Sequence, residues 1–106
     1  MAVIAFDFDG TISDENLHRI VKKLNREGNQ IWVVTMRKNT EFNRNFLQPV
    51  LSKIGLTQFN VIYCNDKPKW ELLKGINADI YIDNISDEFE TLINHTNVIP
   101  FLWVVT

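Results

Sequence analysis

The residues of this chain best suited to chemistry are a set of acids with a few partners: Asp7 and Asp9, Thr35, the stretch Asp66 to Lys69, and Asp83 with Asp87. Residues i and i+2 of an extended segment project to one side, so Asp7 and Asp9 can converge on one site once the chain leaves a strand. Two carboxylates that close repel each other unless a cation neutralises them or one keeps its proton. A hard divalent ion with oxygen ligands meets that need. Mg²⁺ suits best, because it takes one or two carboxylates together with waters and phosphate oxygens. Gly10, directly after the second acid, has the backbone freedom for a sharp exit, and Thr11 can brace that loop by a hydrogen bond.

Such a site requires elements that carry distant segments to one edge. Five short apolar runs, Ala2 to Phe8, Gln30 to Thr35, Asn60 to Cys64, Asp79 to Asp83 and Pro100 to Val105, read as buried strands rich in Val, Ile and aromatics. Helical spacing recurs between them. Leu17, Ile20, Val21 and Leu24 form one stripe, followed by Gly28 where a left-handed C-cap belongs. Phe42, Phe46, Val50 and Ile54 form a second stripe, which Pro49 should divide into two helical pieces. Pro68 suits a first helical turn with Trp70, Leu73 and Ile76 facing inward. Ser86 resembles an N-cap, with Asp87 and Glu88 in the first turn and Phe89, Leu92 and Ile93 on one face.

Regular alternation of strand and helix predicts an α/β fold with right-handed crossovers and a mostly parallel sheet covered by helices on both sides. Ligands bind such sheets beyond the carboxyl ends of the strands. All four polar groups fall at that edge. Packing alone gives interior strand ends no reason to collect carboxylates and a lysine.

Asp7-Phe8-Asp9-Gly10-Thr11 resembles the D-x-D-G-T first motif of haloacid dehalogenase-like hydrolases, and further signatures follow in the family's order. Ile31 to Val34 ending in Thr35 resembles the second motif, a lysine near a helix start the third, and Asp83 with Asp87, as D-x-x-x-D, the fourth. The resemblance spans residues 2 to 88. It implies a three-layer, doubly wound, Rossmann-like five-stranded sheet in the order 5-4-1-2-3, and a Mg²⁺-dependent phosphatase. Asp7 is then the nucleophile that forms an aspartyl-phosphate, and Asp9 the general acid and base whose carbonyl also meets the metal. Thr35 would hydrogen-bond the transferring phosphoryl group, and the lysine would set a fixed positive charge beside it.

Lys69 matches the family spacing to Asp83 better, while Lys67 precedes a proline as in a frequent family pattern. Asp83 and Asp87 would complete the metal shell with Asp7 and Asp9, and Gly10, Thr11, Met36 and Arg37 would stand on the substrate side. Arg37 and Lys38 read equally well as a solvated loop pair. Asn84 stands where many members carry a second Asp, a change that bears on metal affinity rather than on fold. No stretch is left over to build a cap domain. Capless members tend to accept large or macromolecular phosphate esters, or borrow a lid from a neighbouring subunit of a homo-oligomer.

Length and composition agree with this frame. The 106 residues suffice for a single domain, 1–106, and the 45% apolar and 23% charged shares are those of an ordinary globular chain. A net charge of −2 with scattered basic residues offers no footprint for sequence-independent nucleic-acid binding. No apolar run approaches the ~18 residues of a membrane span and no signal peptide is visible, so no membrane partner and a cytoplasmic location are expected. Cys64 reads as a buried, reduced thiol. His18 and His95 read as surface or helix-end residues, and Trp32, Trp70 and Trp103 as packing. Two alternatives compete with the enzyme: a receiver-like phosphoacceptor, whose phosphorylated Asp follows the third strand, and a catalytically weakened phosphate-binding module.

Overall fold

Alternation along the strands divides the apolar residues between two cores, one on each face of a single sheet. The computed structural model describes residues 1–104. Its strands are β1 (Val3–Asp7), β2 (Gln30–Thr35), β3 (Val61–Tyr63), β4 (Ile80–Asp83) and β5 (Ile99–Leu102), and its α-helices are α1 (Glu15–Arg26), α2 (Glu41–Lys53), α3 (Lys69–Gly75) and α4 (Phe89–His95). Ile4, Phe6, Ile31 and Val33 pack on one face against Leu17 and Val21 of α1 and Leu47 and Leu51 of α2. Ala5, Val34 and Tyr81 pack on the other against Leu73 of α3 and Leu92 of α4. Period two in the strands thus produces three layers.

The strand order is β3-β2-β1-β4-β5, which is 5-4-1-2-3 counted from the other edge, and every pairing is parallel. Register sets the rim. Asp7 pairs with Val34, the neighbour of Thr35, and one step beyond the Phe6 and Ile82 partners come Asp7 and Asp83. Adjacent strands lie about 4.8 Å apart, so these ends are neighbours in space.

Several local expectations are corrected. β1 ends at Asp7, and Phe8–Ile12 forms a wide turn in which Ser13 N donates to Phe8 O at 2.9 Å. β5 starts at Ile99 and stops at Leu102, and Val105 lies outside the described residues. Pro49 does not divide α2, which runs unbroken through it. The carbonyl of Asn45 lacks its helical donor there, and Asn45 and Pro49 are both exposed, so solvent can reach that side of the helix.

The buried stripe of α2 is Leu47, Leu51 and, just past its end, Ile54; Phe42 and Phe46 stand 74% and 50% exposed. Ile20 and Ile93 are also exposed. α4 begins at Phe89 rather than at Ser86, because Ser86 to Glu88 are used in a turn closed by Phe89 N and Ser86 O at 3.0 Å. His18 is buried, its Nε2 2.7 Å from Ile12 O, since that carbonyl of the wide turn needs a partner that α1 can supply. Cys64 is a buried free thiol whose pKa is pushed up to about 11 by burial. No helix among the described residues is long and apolar enough to cross a membrane.

Candidate active site

Asp7, Asp83 and Lys69 meet on the carboxyl rim of the sheet and are all buried. β1 and β4 deliver the two acids side by side, and α3, opened by Pro68 at its N-cap, carries Lys69 on its first turn back across the rim. Lys69 Nζ donates to Asp7 Oδ1 at 2.5 Å, to Tyr81 Oη at 2.8 Å and to Asp83 Oδ2 at 3.4 Å. Tyr81 Oη in turn donates to Asp83 Oδ2 at 2.6 Å, and Ile85 N to Asp83 Oδ1 at 3.1 Å. The lysine head and both oxygens of Asp83 are thereby engaged in one buried network.

Burial dominates the charge states. It raises the Asp7 carboxyl to about 6, against the opposing pull of the Lys69 charge and with a further push from Asp83. Burial by itself would lower Lys69, but the two carboxylates outweigh it and raise the ammonium above its usual value. Tyr81 is raised by burial and by its bond to Asp83, so it stays a neutral donor. With Asp7 raised only to about 6 and Lys69 raised above its usual value, neutral pH favours the carboxylate beside the ammonium.

The remaining expected residues fall into three positions. Thr35 is buried at the end of β2, where its Oγ1 accepts from Arg37 N at 3.2 Å, and it lines a cavity of about 580 Å³ together with Asp7, Asp9, Met36, Lys69 and Asp83. Arg37, Ile85 and the exposed Asp87 and Glu88 also line it. Thr11 is buried behind the site, its hydroxyl 3.4 Å from Asp7 Oδ2, and Gly10 lies outside the cavity lining. Gly10 has φ +80°, and a Cβ there would collide with the Asn84 side chain, so the turn that seats Asp9 against Asn84 requires glycine. Lys67 is exposed and takes no part. Sequence spacing favours Lys69, and the fold brings that residue to the acids.

Asp9 divides its roles. Its side chain turns away to form a two-toothed pair with Arg37, Nε to Oδ2 and Nη2 to Oδ1, each 2.9 Å. Its backbone carbonyl turns inward. Among the described residues no group of three or more His, Cys, Asp or Glu side chains is gathered to hold a metal. The expected set of four carboxylates is therefore not assembled, because Asp9 is held by Arg37 and Asp87 sits in the exposed turn before α4.

A different oxygen set does converge. With its amide oxygen inward, Asn84 Oδ1 faces Asp83 Oδ1, Asp7 Oδ2 and Asp9 O and accepts only from Thr11 Oγ1 at 3.3 Å; without a cation the hydrogen bonds favour the turned amide, whose NH₂ donates to the same three oxygens at 3.1, 3.3 and 3.1 Å. Two carboxylate oxygens, a carbonyl and, with the amide turned oxygen-inward, an amide oxygen are hard donors of the kind Mg²⁺ takes. The donor set suits that ion when the Asn84 amide turns its oxygen inward.

Tyr81, Asn43 and Phe46 were missed by the sequence reading. Tyr81 lies two residues before Asp83 on the same face of β4, a signal that period two would have yielded. Asn43 and Phe46, three apart on α2, hold Arg37, and only the packing of α2 against the loop after β2 reveals it. A second cavity, of about 650 Å³, opens at the opposite end of the sheet beside Asp79 and Val98 and gathers no such network. No family model, curated protein or solved structure matches the chain. The rim itself therefore carries the functional argument.

Proposed function

We propose that this protein is a Mg²⁺-dependent phosphohydrolase of the haloacid dehalogenase-like type, acting on a phosphomonoester through an aspartyl-phosphate on Asp7. The observation that carries the reading is Lys69 Nζ held between Asp7 and Asp83 at the mouth of a cavity lined by Thr35, next to a cluster of hard oxygens. A buried carboxylate shifted by desolvation beside a specific charge partner in a cleft is the pattern of a functional site.

Asp7 attacks phosphorus as its carboxylate, and the bond from phosphorus to the leaving oxygen breaks as that oxygen takes a proton from Asp9. Water then attacks the aspartyl-phosphate, gives its proton to Asp9 and returns Asp7 to carboxylate. Lys69 neutralises charge at the nucleophile, and Thr35 holds a phosphoryl oxygen at the end of β2. Asp7, Asp83, the Asp9 carbonyl and Asn84 would hold Mg²⁺, which would supply positive charge beside the bound phosphate. The open cavity and the lack of any insertion after β1 or β3 favour large phosphate esters.

A receiver-like phosphoacceptor is less well supported: Asp66, the acid after β3, is exposed and outside the cavity lining. A screen of phosphate release from nucleotide, sugar, peptide and nucleic-acid-end phosphates, with Asp7→Asn as the blank, tests the proposal. Release that depends on Mg²⁺ and vanishes in Asp7→Asn is expected. Release that survives this substitution, or a stable phosphoprotein without turnover, would refute it.

A further inference from the structure

Arg37 has a fixed task that its place in the sequence does not reveal. Besides the two bonds to Asp9, its Nη1 donates to Asn43 Oδ1 at 2.9 Å, and the guanidinium lies over the Phe46 ring, 4.2 Å from its centre. Asn43 is itself pinned, its Nδ2 donating to Lys38 O at 2.9 Å and its backbone N to Thr40 Oγ1 at 3.2 Å. The first turns of α2 therefore hold Arg37, and Arg37 holds Asp9. A lone exposed ion pair contributes little, but a planar fork with a third hydrogen bond and a ring beneath it has few alternative poses.

We infer that Arg37, carried on Asn43 and Phe46, is the positioning residue that holds the Asp9 carboxylate as the base for the hydrolytic half of the reaction. The inference rests on the roles proposed above for Asp7 and Asp9. A guanidinium fork pairs with a carboxylate rather than a carboxylic acid, so it serves the step in which Asp9 accepts a proton. In that step the water oxygen bonds to phosphorus, the bond from phosphorus to Asp7 breaks with its electrons returning to the carboxylate, and the water proton passes to Asp9. In this assignment Arg37 acts through Asp9 rather than on the reacting atoms.

The test uses 4-nitrophenyl phosphate, whose leaving group departs without an acid, so that formation and hydrolysis of the aspartyl-phosphate separate. In Arg37→Ala a burst of about one nitrophenol per enzyme is expected, then a steady rate lower by about ten to a hundredfold, part of the 10² to 10⁴ a placed base supplies. Acid quench should recover the accumulated aspartyl-phosphate. Arg37→Lys should recover part of the loss, and Arg37→Ala should add nothing in an Asp9→Asn background. Should Arg37→Ala fail to fold by circular dichroism, Asn43→Ala is expected to give the same burst with a smaller loss. A raised KM with unchanged kcat, an equal loss in the Asp9→Asn background, or unaltered kinetics would overturn the inference and leave the phosphatase reading intact. Wild-type protein without Asp7-dependent turnover overturns both.

Discussion

Asp7 meets two opposed demands. As nucleophile it must be ionised, yet burial raises its carboxyl to about 6 even with Lys69 Nζ 2.5 Å away. The unfolded carboxyl titrates near 3.8, so between these values the folded chain binds the extra proton. A state that binds more protons loses stability as pH rises, and the Asp7 contribution therefore falls through that window. Asp7→Asn has no such titration. Its melting temperature relative to wild type, measured without Mg²⁺, is expected to climb by a few degrees from about pH 4.5 to about pH 7. A difference that is flat or declines across that range would show that Lys69 fully offsets the burial. The acids themselves were legible in the sequence, because strand ends and i, i+2 spacing are local properties; the burial that raises Asp7 depends on α3 and β4 and was not.

At the scale of elements, the turn and helices carry the site further than their propensities suggest. The wide turn Phe8–Ile12 sends the Asp9 carbonyl inward and its carboxylate outward, a division that spacing cannot predict because φ at Gly10 decides it. α1 and α3 are legible from their stripes and their caps, Gly28 with φ +87° among them. α2 is the element most at odds with local rules. Pro49 sits inside it without an N–H to donate, yet the helix continues because Leu47, Leu51 and Ile54 bury on both sides of the gap. Tertiary burial outweighs the local penalty. Pro49→Ala restores the missing donor, and a gain of about 1 to 2 kcal/mol is expected after allowing for the freer unfolded chain. Urea unfolding checks it, and a loss of stability would mean that Pro49 fits α2 without penalty.

For the whole molecule, metal binding and folding should be linked through the rim. The oxygens of Asp7, Asp9, Asp83 and Asn84 come from β1, the turn after it, β4 and the residue that follows β4, so an ion held there would tie together segments 70 or more residues apart that the unfolded chain cannot gather. Mg²⁺ added to chelator-treated protein is expected to raise the melting temperature, by the equivalent of about 2.7 kcal/mol at a hundredfold excess over Kd, and Asp83→Asn should remove most of the rise. An equal rise in Asp83→Asn would place the ion elsewhere. The sequence by itself determined the alternation of strand and helix, the edge where the acids gather and the family resemblance, because period, chain direction and motif order are written in neighbouring residues. Only the tertiary structure decided that Lys69 rather than Lys67 reaches the acids, that Tyr81 joins them, that His18 is buried and that Arg37 takes the carboxylate of Asp9. Those outcomes depend on which side chains meet across the sheet and on how much water remains between them, and neither quantity exists until the layers close.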